Sequence, residues 1–344
     1  MKAILFSQHG PAEVLQIGDL PDPSPKTNEV LVKLEYSGLN HVDIWVRAGN
    51  PAYPVSLPHV LGADGAGMVM ALGPEAEGIS VGDRVLIIPA LSCGLCSFCL
   101  RGLDNQCDSF EILGARRHGT YGDCVLVPDQ NVIPLPDEIT TEIAAAFPLA
   151  YHTAWHMLIS RAKLEKGETV LIVGSSAGVG IAAIQIAKWK GATVLAVTRQ
   201  PNKKEKILKL GADKVILTDK EPDFSGWARR ETKGLGVPVV FEHVGPATWP
   251  YSIQSLGRYG RLVTCGATSG PRTELDLRYV FSRDLSVLGA KMGTRKEFVQ
   301  LVDVIFSGKI KPVIDRVFPL SEAVQAHRYM EEAHQIGKIL LTHN

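Results

Sequence analysis

The sequence carries no net charge, since 36 lysines and arginines face 36 aspartates and glutamates. Without a basic block it has no electrostatic footprint for nucleic acid or for an anionic membrane, so neither is expected as a partner. Long apolar runs are missing as well, and no stretch approaches the roughly 18 residues that cross a bilayer. Residues 1–9 lack the apolar core of a signal peptide, so a cytoplasmic location is expected. Cysteine is scarce: six in 344 residues are too few for a disulfide scaffold in a chain able to bury a large core. Internal repeats and low-complexity segments are absent too.

What remains is an ordinary globular composition, 45% hydrophobic and 21% charged. The length calls for two domains. Up to about residue 150, short apolar runs at 30–34, 67–71 and 84–88 alternate with Gly, Pro, Asn and Asp, which reads as β-rich. Beyond that point the pattern changes. Strand-like runs at 169–173, 193–197, 214–217, 237–242, 261–265 and 285–288 alternate with helical periodicity at 181–189, 203–210, 227–232 and 249–255. That alternation is the signature of βαβ units and a parallel sheet. The tail reads as helical at 296–306 and 320–332 and closes on a strand at 338–341. The expected fold class is α/β, a doubly wound parallel sheet joined to a β-rich domain.

Four cysteines are spaced Cys93-x2-Cys96-x2-Cys99-x7-Cys107. Two-residue gaps let backbone turns point successive thiolates at one centre, and the longer gap brings the chain back with a fourth. Four sulfurs fill a tetrahedral zinc site and leave no open position, so one structural Zn2+ per chain is expected on Cys93, Cys96, Cys99 and Cys107. An iron–sulfur cluster also takes four thiolates, but with a shorter last gap followed by proline. Cys124 and Cys265 sit alone in apolar segments and read as inert thiols.

The run Val173-Gly174-Ser175-Ser176-Ala177-Gly178-Val179-Gly180 leads from a strand into a helix. Glycines there allow a tight turn and a close approach of backbone to a pyrophosphate at the helix N-terminus. Gly174, Ser176, Ala177, Gly178, Val179 and Gly180 are therefore candidate dinucleotide ligands. An acidic residue about twenty positions on would hold the ribose hydroxyls of NAD. The segment Thr198-Arg199-Gln200-Pro201-Asn202-Lys203 has none, and Arg199 and Lys203 suit a 2′-phosphate instead. NADP(H) is thus the expected cofactor, held at Thr198, Arg199 and Lys203, with NAD(H) as the alternative.

With the cysteine lobe and the glycine turn together, the chain resembles the medium-chain dehydrogenase/reductase superfamily, which includes zinc alcohol dehydrogenases and quinone reductases. The likeness covers essentially the full length. It is carried by Gly38-Leu39-Asn40-His41-Val42-Asp43, by 58–67, by Val81-Gly82-Asp83-Arg84-Val85, and later by Gly191-Ala192, 210–213 and Gly337-Lys338-Ile339. The resemblance implies a GroES-like catalytic domain at 1–150 with its zinc lobe at about 90–110, a Rossmann domain at 151–291, and a return to the catalytic domain at 292–344. It implies that Thr153, Cys265 and Gly266 flank the nicotinamide. It also implies a homo-dimer or homo-tetramer paired near 285–288.

The same resemblance marks departures. Zinc alcohol dehydrogenases hold their catalytic metal on a Cys, a His beside an acidic residue, and a second Cys; the matching positions are Asn40, Ala63 beside Asp64, and Leu149. Asn and Ala cannot hold a zinc that polarises an alkoxide. The pattern is similar to the zinc-independent quinone and enoyl reductases, whose members often carry Asn at the position of Asn40 and a Tyr-Pro pair, here Tyr53-Pro54. The implied activity is NADP(H)-dependent hydride transfer to a quinone or α,β-unsaturated carbonyl without a catalytic zinc. Asn40 and Tyr53 are the candidate donors to charge developing on the substrate carbonyl. Two alternatives stand beside it. One is an alcohol dehydrogenase that keeps a metal on substitute ligands drawn from His41, His59, Asp64, His152 and His156. The other is a non-catalytic NADP(H)-binding protein. Asp43 and Asp64 are expected as structural acceptors.

Overall fold

The computed structural model describes residues 1–343 and divides into two compact units. One comprises residues 1–149, 294–296 and the chain from Pro312 onward; the other comprises 150–293 and 297–311.

In the first unit the strand Glu29–Gly38 is central. It pairs antiparallel with Asp64–Leu72, Cys124–Pro128 and Lys338–Thr342. Arg84–Ile87, Val132–Pro134 and Ile314–Pro319 complete a seven-stranded sheet. Val30, Val32 and Leu34 point to one face at the period of two that a half-buried strand requires, and they pack on Val69, Val85 and Ile87. A second core gathers Phe6, Val42, Val46, Leu61 and Ala326 around the small sheet of Lys2–Phe6, Gln16–Asp19 and His59–Val60. The register of the closing strand, Leu340 opposite Gly38, brings Lys338 alongside the turn at Asn40. That turn starts the helix His41–Arg47, and the Asn40 backbone N–H donates to Asp43 Oδ2 at 2.8 Å.

The second unit is a six-stranded, fully parallel sheet. Its spatial order is Lys214–Leu217, Thr193–Thr198, Thr169–Ile172, Val237–Glu242, Leu256–Thr264, Ser286–Gly289. Numbered along the chain this is 3-2-1-4-5-6, the order of a doubly wound dinucleotide fold. Val170, Leu171 and Ile172 are all fully buried, as a strand covered on both faces demands. All six strand positions expected from the sequence occur. The helices Gly178–Lys190, Lys204–Lys209, Ser225–Glu231 and Trp249–Ser255 lie where periodicity placed them. Periodicity did not mark the helix Pro148–Trp155, its π-type continuation His156–Arg161, or Leu277–Arg283. The helix Arg295–Phe306 buries Phe298, Leu301, Val302 and Ile305, and residues 297–311 group with the parallel-sheet unit. Among the described residues no helix is long and apolar enough to cross a membrane.

Candidate active site and metal centre

The cysteine lobe hangs from the two-stranded pair Ala90–Leu91 and Glu111–Ile112. All four sulfurs lie within 4.8 Å of one another. Cys93–Cys107 is 3.4 Å, Cys96–Cys99 3.6 Å and Cys93–Cys99 4.0 Å. Tetrahedral zinc with bonds of about 2.3 Å places its sulfurs about 3.8 Å apart, so the spacing suits that ion. Backbone N–H groups of Leu95 and Cys96 point at the Cys93 sulfur, and those of Cys93 and Ser109 point at Cys107. Backbone donors pull the Cys96 thiol down to about 6, while burial pushes Cys99 up to about 12. Four thiols this close cannot all ionise without a cation, and a divalent metal would supply it.

The glycine turn follows the first strand of the parallel sheet. Gly174 has φ +69°, a left-handed conformation that a side chain disfavours, and a Cβ there would lie 2.6 Å from His243 Nε2. At Gly180 a Cβ would lie 2.4 Å from the Gly174 carbonyl, so the turn closes onto its helix only with glycine at that position. The helix Gly178–Lys190 starts at Ala177 without a side-chain cap, which leaves its first N–H groups for an anion. Ser176, Ala177 and Val179 share this turn. Ser175 Oγ donates to Val197 O at 2.8 Å and ties the turn to the second strand. At the end of that strand Thr198 is buried and Arg199 exposed, while Lys203 is buried with its Nζ 3.4 Å from Ser176 Oγ. These residues fit a dinucleotide phosphate, with two basic groups and no carboxylate at the ribose end. Thr153 is buried on the helix Pro148–Trp155. Gly266 lies beside the His243 carbonyl, 2.9 Å from its would-be Cβ, and burial pushes the Cys265 thiol up to about 12.

A second cluster occupies the first unit. Asn40 Nδ2 donates to Asp64 Oδ2 at 2.9 Å and to Gly38 O at 3.2 Å. Lys338 Nζ donates to Asn40 Oδ1 at 2.7 Å, Leu39 O at 2.7 Å and Asp64 Oδ2 at 2.9 Å. Asp64 Oδ1 accepts the Leu149 N–H at 2.8 Å. Asp43, the other acidic residue of this region, accepts from Gly62 N at 3.2 Å and from Tyr121 OH at 3.2 Å. Burial raises its carboxyl to about 7 against the pull of the Asn40 and Gly62 N–H groups. Sequence reasoning missed Lys338 and Tyr121 as members of this network; the closing Gly337-Lys338-Ile339 was the available signal for the former.

Tyr53 stacks on Trp45, with centroids 6.3 Å apart and planes at 16°, and Trp45 in turn meets His41 edge-on. The Tyr53 hydroxyl makes no hydrogen bond among the described residues, and burial raises its pKa. The histidines scatter. His59 Nε2 faces Gly114 O at 2.9 Å, His156 Nδ1 faces Glu297 at 2.9 Å, and His152 packs edge-on against Phe298. The cysteine quartet is the one group of at least three metal-ligating side chains among the described residues.

A glycine-rich first turn on a 3-2-1-4-5-6 sheet, joined in one chain to a β-rich unit with a four-cysteine knuckle, defines a nicotinamide-dependent oxidoreductase. The match to known proteins makes this specific. The alcohol dehydrogenase GroES-like domain family matches residues 26–137, and the zinc-binding dehydrogenase family matches 178–307. The chain is 33% identical to an NAD-dependent alcohol dehydrogenase of Sulfolobus acidocaldarius, covering 99% of both chains. It is 31% identical to an acryloyl-coenzyme A reductase of Metallosphaera sedula, covering 99% of this chain and 100% of that one. A quinone oxidoreductase of Rattus norvegicus is 28% identical over 99% of this chain and 97% of its own. The crystal structure of an NAD-dependent alcohol dehydrogenase superposes with a TM-score of 0.95 at 41% identity, covering 100% of both chains. The chain belongs to the medium-chain dehydrogenase/reductase superfamily and is an oxidoreductase of its alcohol dehydrogenase and quinone oxidoreductase type.

Proposed function

We propose that this protein is an NADP(H)-dependent reductase that delivers hydride to a quinone or an α,β-unsaturated carbonyl without a catalytic metal, and that it carries one structural zinc on its cysteine quartet. The observation that carries the reading is the Asn40–Asp64–Lys338 cluster. Position 63 is alanine, both Asp64 oxygens already accept N–H donors, and the Asn40 amide is engaged at both ends. No ligand set is left at the positions where the zinc enzymes of the superfamily hold their metal. Reduced nicotinamide supplies the hydride.

The chain's own residues then have two tasks. Gly174, Gly180 and the uncapped helix start receive the pyrophosphate, and Arg199 and Lys203 receive the 2′-phosphate. Tyr53 donates to the carbonyl oxygen on which charge develops. The phenol is protonated at neutral pH, burial raises its pKa further, and its hydroxyl is uncommitted. One well-placed donor is worth about 100- to 1000-fold in kcat. Asn40 holds the geometry around it, since both its amide hydrogens are directed at protein acceptors.

The edge strand Ser286–Gly289 has exposed Ser286 and Val287, and Leu277 and Phe281 of the neighbouring helix are exposed too. An open edge of this kind suits pairing with a second copy, which supports a homo-dimer or tetramer. The lobe cysteines form no disulfide, as a reducing compartment would leave them, which supports a cytoplasmic location.

Metal content and NADPH oxidation, with a simple quinone and with an enone, test the reading. The expected result is one zinc per chain and turnover that survives a chelator, with Tyr53→Phe slowing kcat and leaving NADPH binding intact. The names of the alcohol dehydrogenase relatives favour a second reading, alcohol oxidation, and one such neighbour is a cobalt and zinc bound alcohol dehydrogenase. Two zincs per chain and chelator-sensitive alcohol turnover would establish it, and NADPH binding without any turnover would point to a non-catalytic binder.

A further inference from the structure

Lys338 and Asp64 form an ion pair sealed from solvent, with side chains 2% and 0% exposed. The hydride transfer proposed above makes no use of that ammonium. All three of its hydrogens are nevertheless directed, at Leu39 O, Asn40 Oδ1 and Asp64 Oδ2, each within 2.9 Å. The acceptors surround the nitrogen as ligands surround a cation. Through Asp64 the same centre reaches the Leu149 N–H, and through Asn40 it reaches the start of the helix that carries Trp45. Positions 40, 64 and 149 are thus joined at one buried charge. An isolated buried carboxylate is strongly disfavoured, so Asp64 depends on this partner.

We propose that Lys338 is the positioning residue of the site: a cation built into the chain that orders Asn40, Asp64 and Leu149 beside the positions, 40, 63 and 149, that hold the metal in the zinc enzymes of the superfamily. Through the helix His41–Arg47 it also sets the Trp45–Tyr53 stack. Its kinetic consequence rests on the reductase reading; its structural consequence does not. Truncating Lys338 to alanine leaves Asp64 and Asn40 facing a space shaped for an alkylammonium ion, and a small primary amine can occupy it from solution.

The experiment uses the full chain with Lys338→Ala, assayed by NADPH oxidation with an enone and a quinone. Misplacing the Tyr53 hydroxyl by about 1 Å lowers kcat by about 100-fold, and NADPH affinity is unchanged. Methylammonium or propylammonium at constant ionic strength restores kcat saturably. Tetramethylammonium, which has no N–H, does not. The paired variant Lys338→Met with Asp64→Asn removes both charges and guards against misfolding of the single variant; it is expected to fold, to be as slow, and to gain nothing from amines. Wild-type kcat in either variant overturns the proposal, as does equal recovery with tetramethylammonium. If the wild-type protein turns over neither substrate, the reductase reading fails, and melting decides the role of the cation. Propylammonium raising the melting temperature of Lys338→Ala but not that of wild type supports it, and no shift overturns it.

Discussion

Acid is predicted to destabilise the GroES-like unit through three imidazoles buried in their neutral form. Burial holds His59 down to about 4, and burial with the neighbouring Arg47 holds His327 down to about 3. Burial holds His343 down to about 4. His327 has the least room for a proton, because Arg47 Nη1 donates to its Nδ1 at 2.8 Å and its Nε2 has no partner among the described residues. A group whose folded pKa is depressed takes up its proton only on unfolding, so its contribution is present above the unfolded value near 6.5 and is lost as pH falls toward the folded one. Asp43 acts in the opposite sense. Its carboxyl, raised to about 7, is protonated in the folded chain while the unfolded carboxyl is not, so it adds stability as pH falls through 7. Each proton is worth about 1.4 kcal/mol per pH unit, so between pH 6.5 and 5.0 the three imidazoles lose about 5 kcal/mol and Asp43 returns about 2. The net loss is about 3 kcal/mol. Urea unfolding at the two pH values measures it. His327→Gln keeps an acceptor for Arg47 and should remove roughly one to two kcal/mol of the pH dependence. Unfolding free energies that are equal at the two pH values, or a pH dependence unchanged in His327→Gln, would mean that these imidazoles do not set the acid sensitivity.

Three further outcomes follow from the geometry. Gly180→Ala should weaken NADPH binding on the order of 10-fold, because overpacking costs about 1–3 kcal/mol where a Cβ meets backbone, and fluorescence titration checks it. Cys96→Ser should abolish the zinc and make the 90–110 lobe sensitive to protease while dinucleotide binding persists, as read by elemental analysis and limited proteolysis. Arg199→Glu should reduce kcat/KM for NADPH relative to NADH by about 10- to 100-fold, the worth of one charge-assisted hydrogen bond; an unchanged ratio means that the 2′-phosphate does not meet this side chain.

The parts of the fold legible in the sequence were those with a period. The parallel strands announced themselves because burial on both faces forces continuous apolar runs such as Val170-Leu171-Ile172. The cysteine spacing and the glycine turn were legible because zinc and phosphate constrain residue type at fixed intervals. The helix Leu277–Arg283 was not, because it buries none of its residues and so has no apolar stripe. The apolar run 261–265 marks only the second half of the strand Leu256–Thr264, because Gly257, Tyr259 and Gly260 break the pattern in the first half. Long-range polar pairs were out of reach. The Lys338–Asp64 pair spans 274 residues, and only the register of the closing strand brings the two together. For the same reason nothing in the sequence signals that the amide of Asn40, a candidate donor to substrate, meets Asp64, Gly38 and Lys338.

The charge balance of that cluster bears on which substrates suit the site. Zinc brings two positive charges and an open coordination position, enough to stabilise an alkoxide and so to make an alcohol a hydride donor. The Lys338 ammonium brings one charge, already balanced by Asp64, and its three hydrogens are directed at protein atoms. In the proposed reductase, carbonyl polarisation comes from a hydrogen-bond donor, the Tyr53 hydroxyl, a weaker pull than a Lewis acid exerts. A donor of that strength serves an electrophile already activated by its own conjugation, in which the charge left by hydride addition spreads along the enolate or hydroquinone framework. An unactivated alcohol gains little from it. On the proposed reductase reading, a cluster of this kind at Asn40, Asp64 and Lys338 should favour conjugated carbonyl reduction over alcohol oxidation, and comparing kcat/KM for an enone with that for the corresponding saturated alcohol measures it.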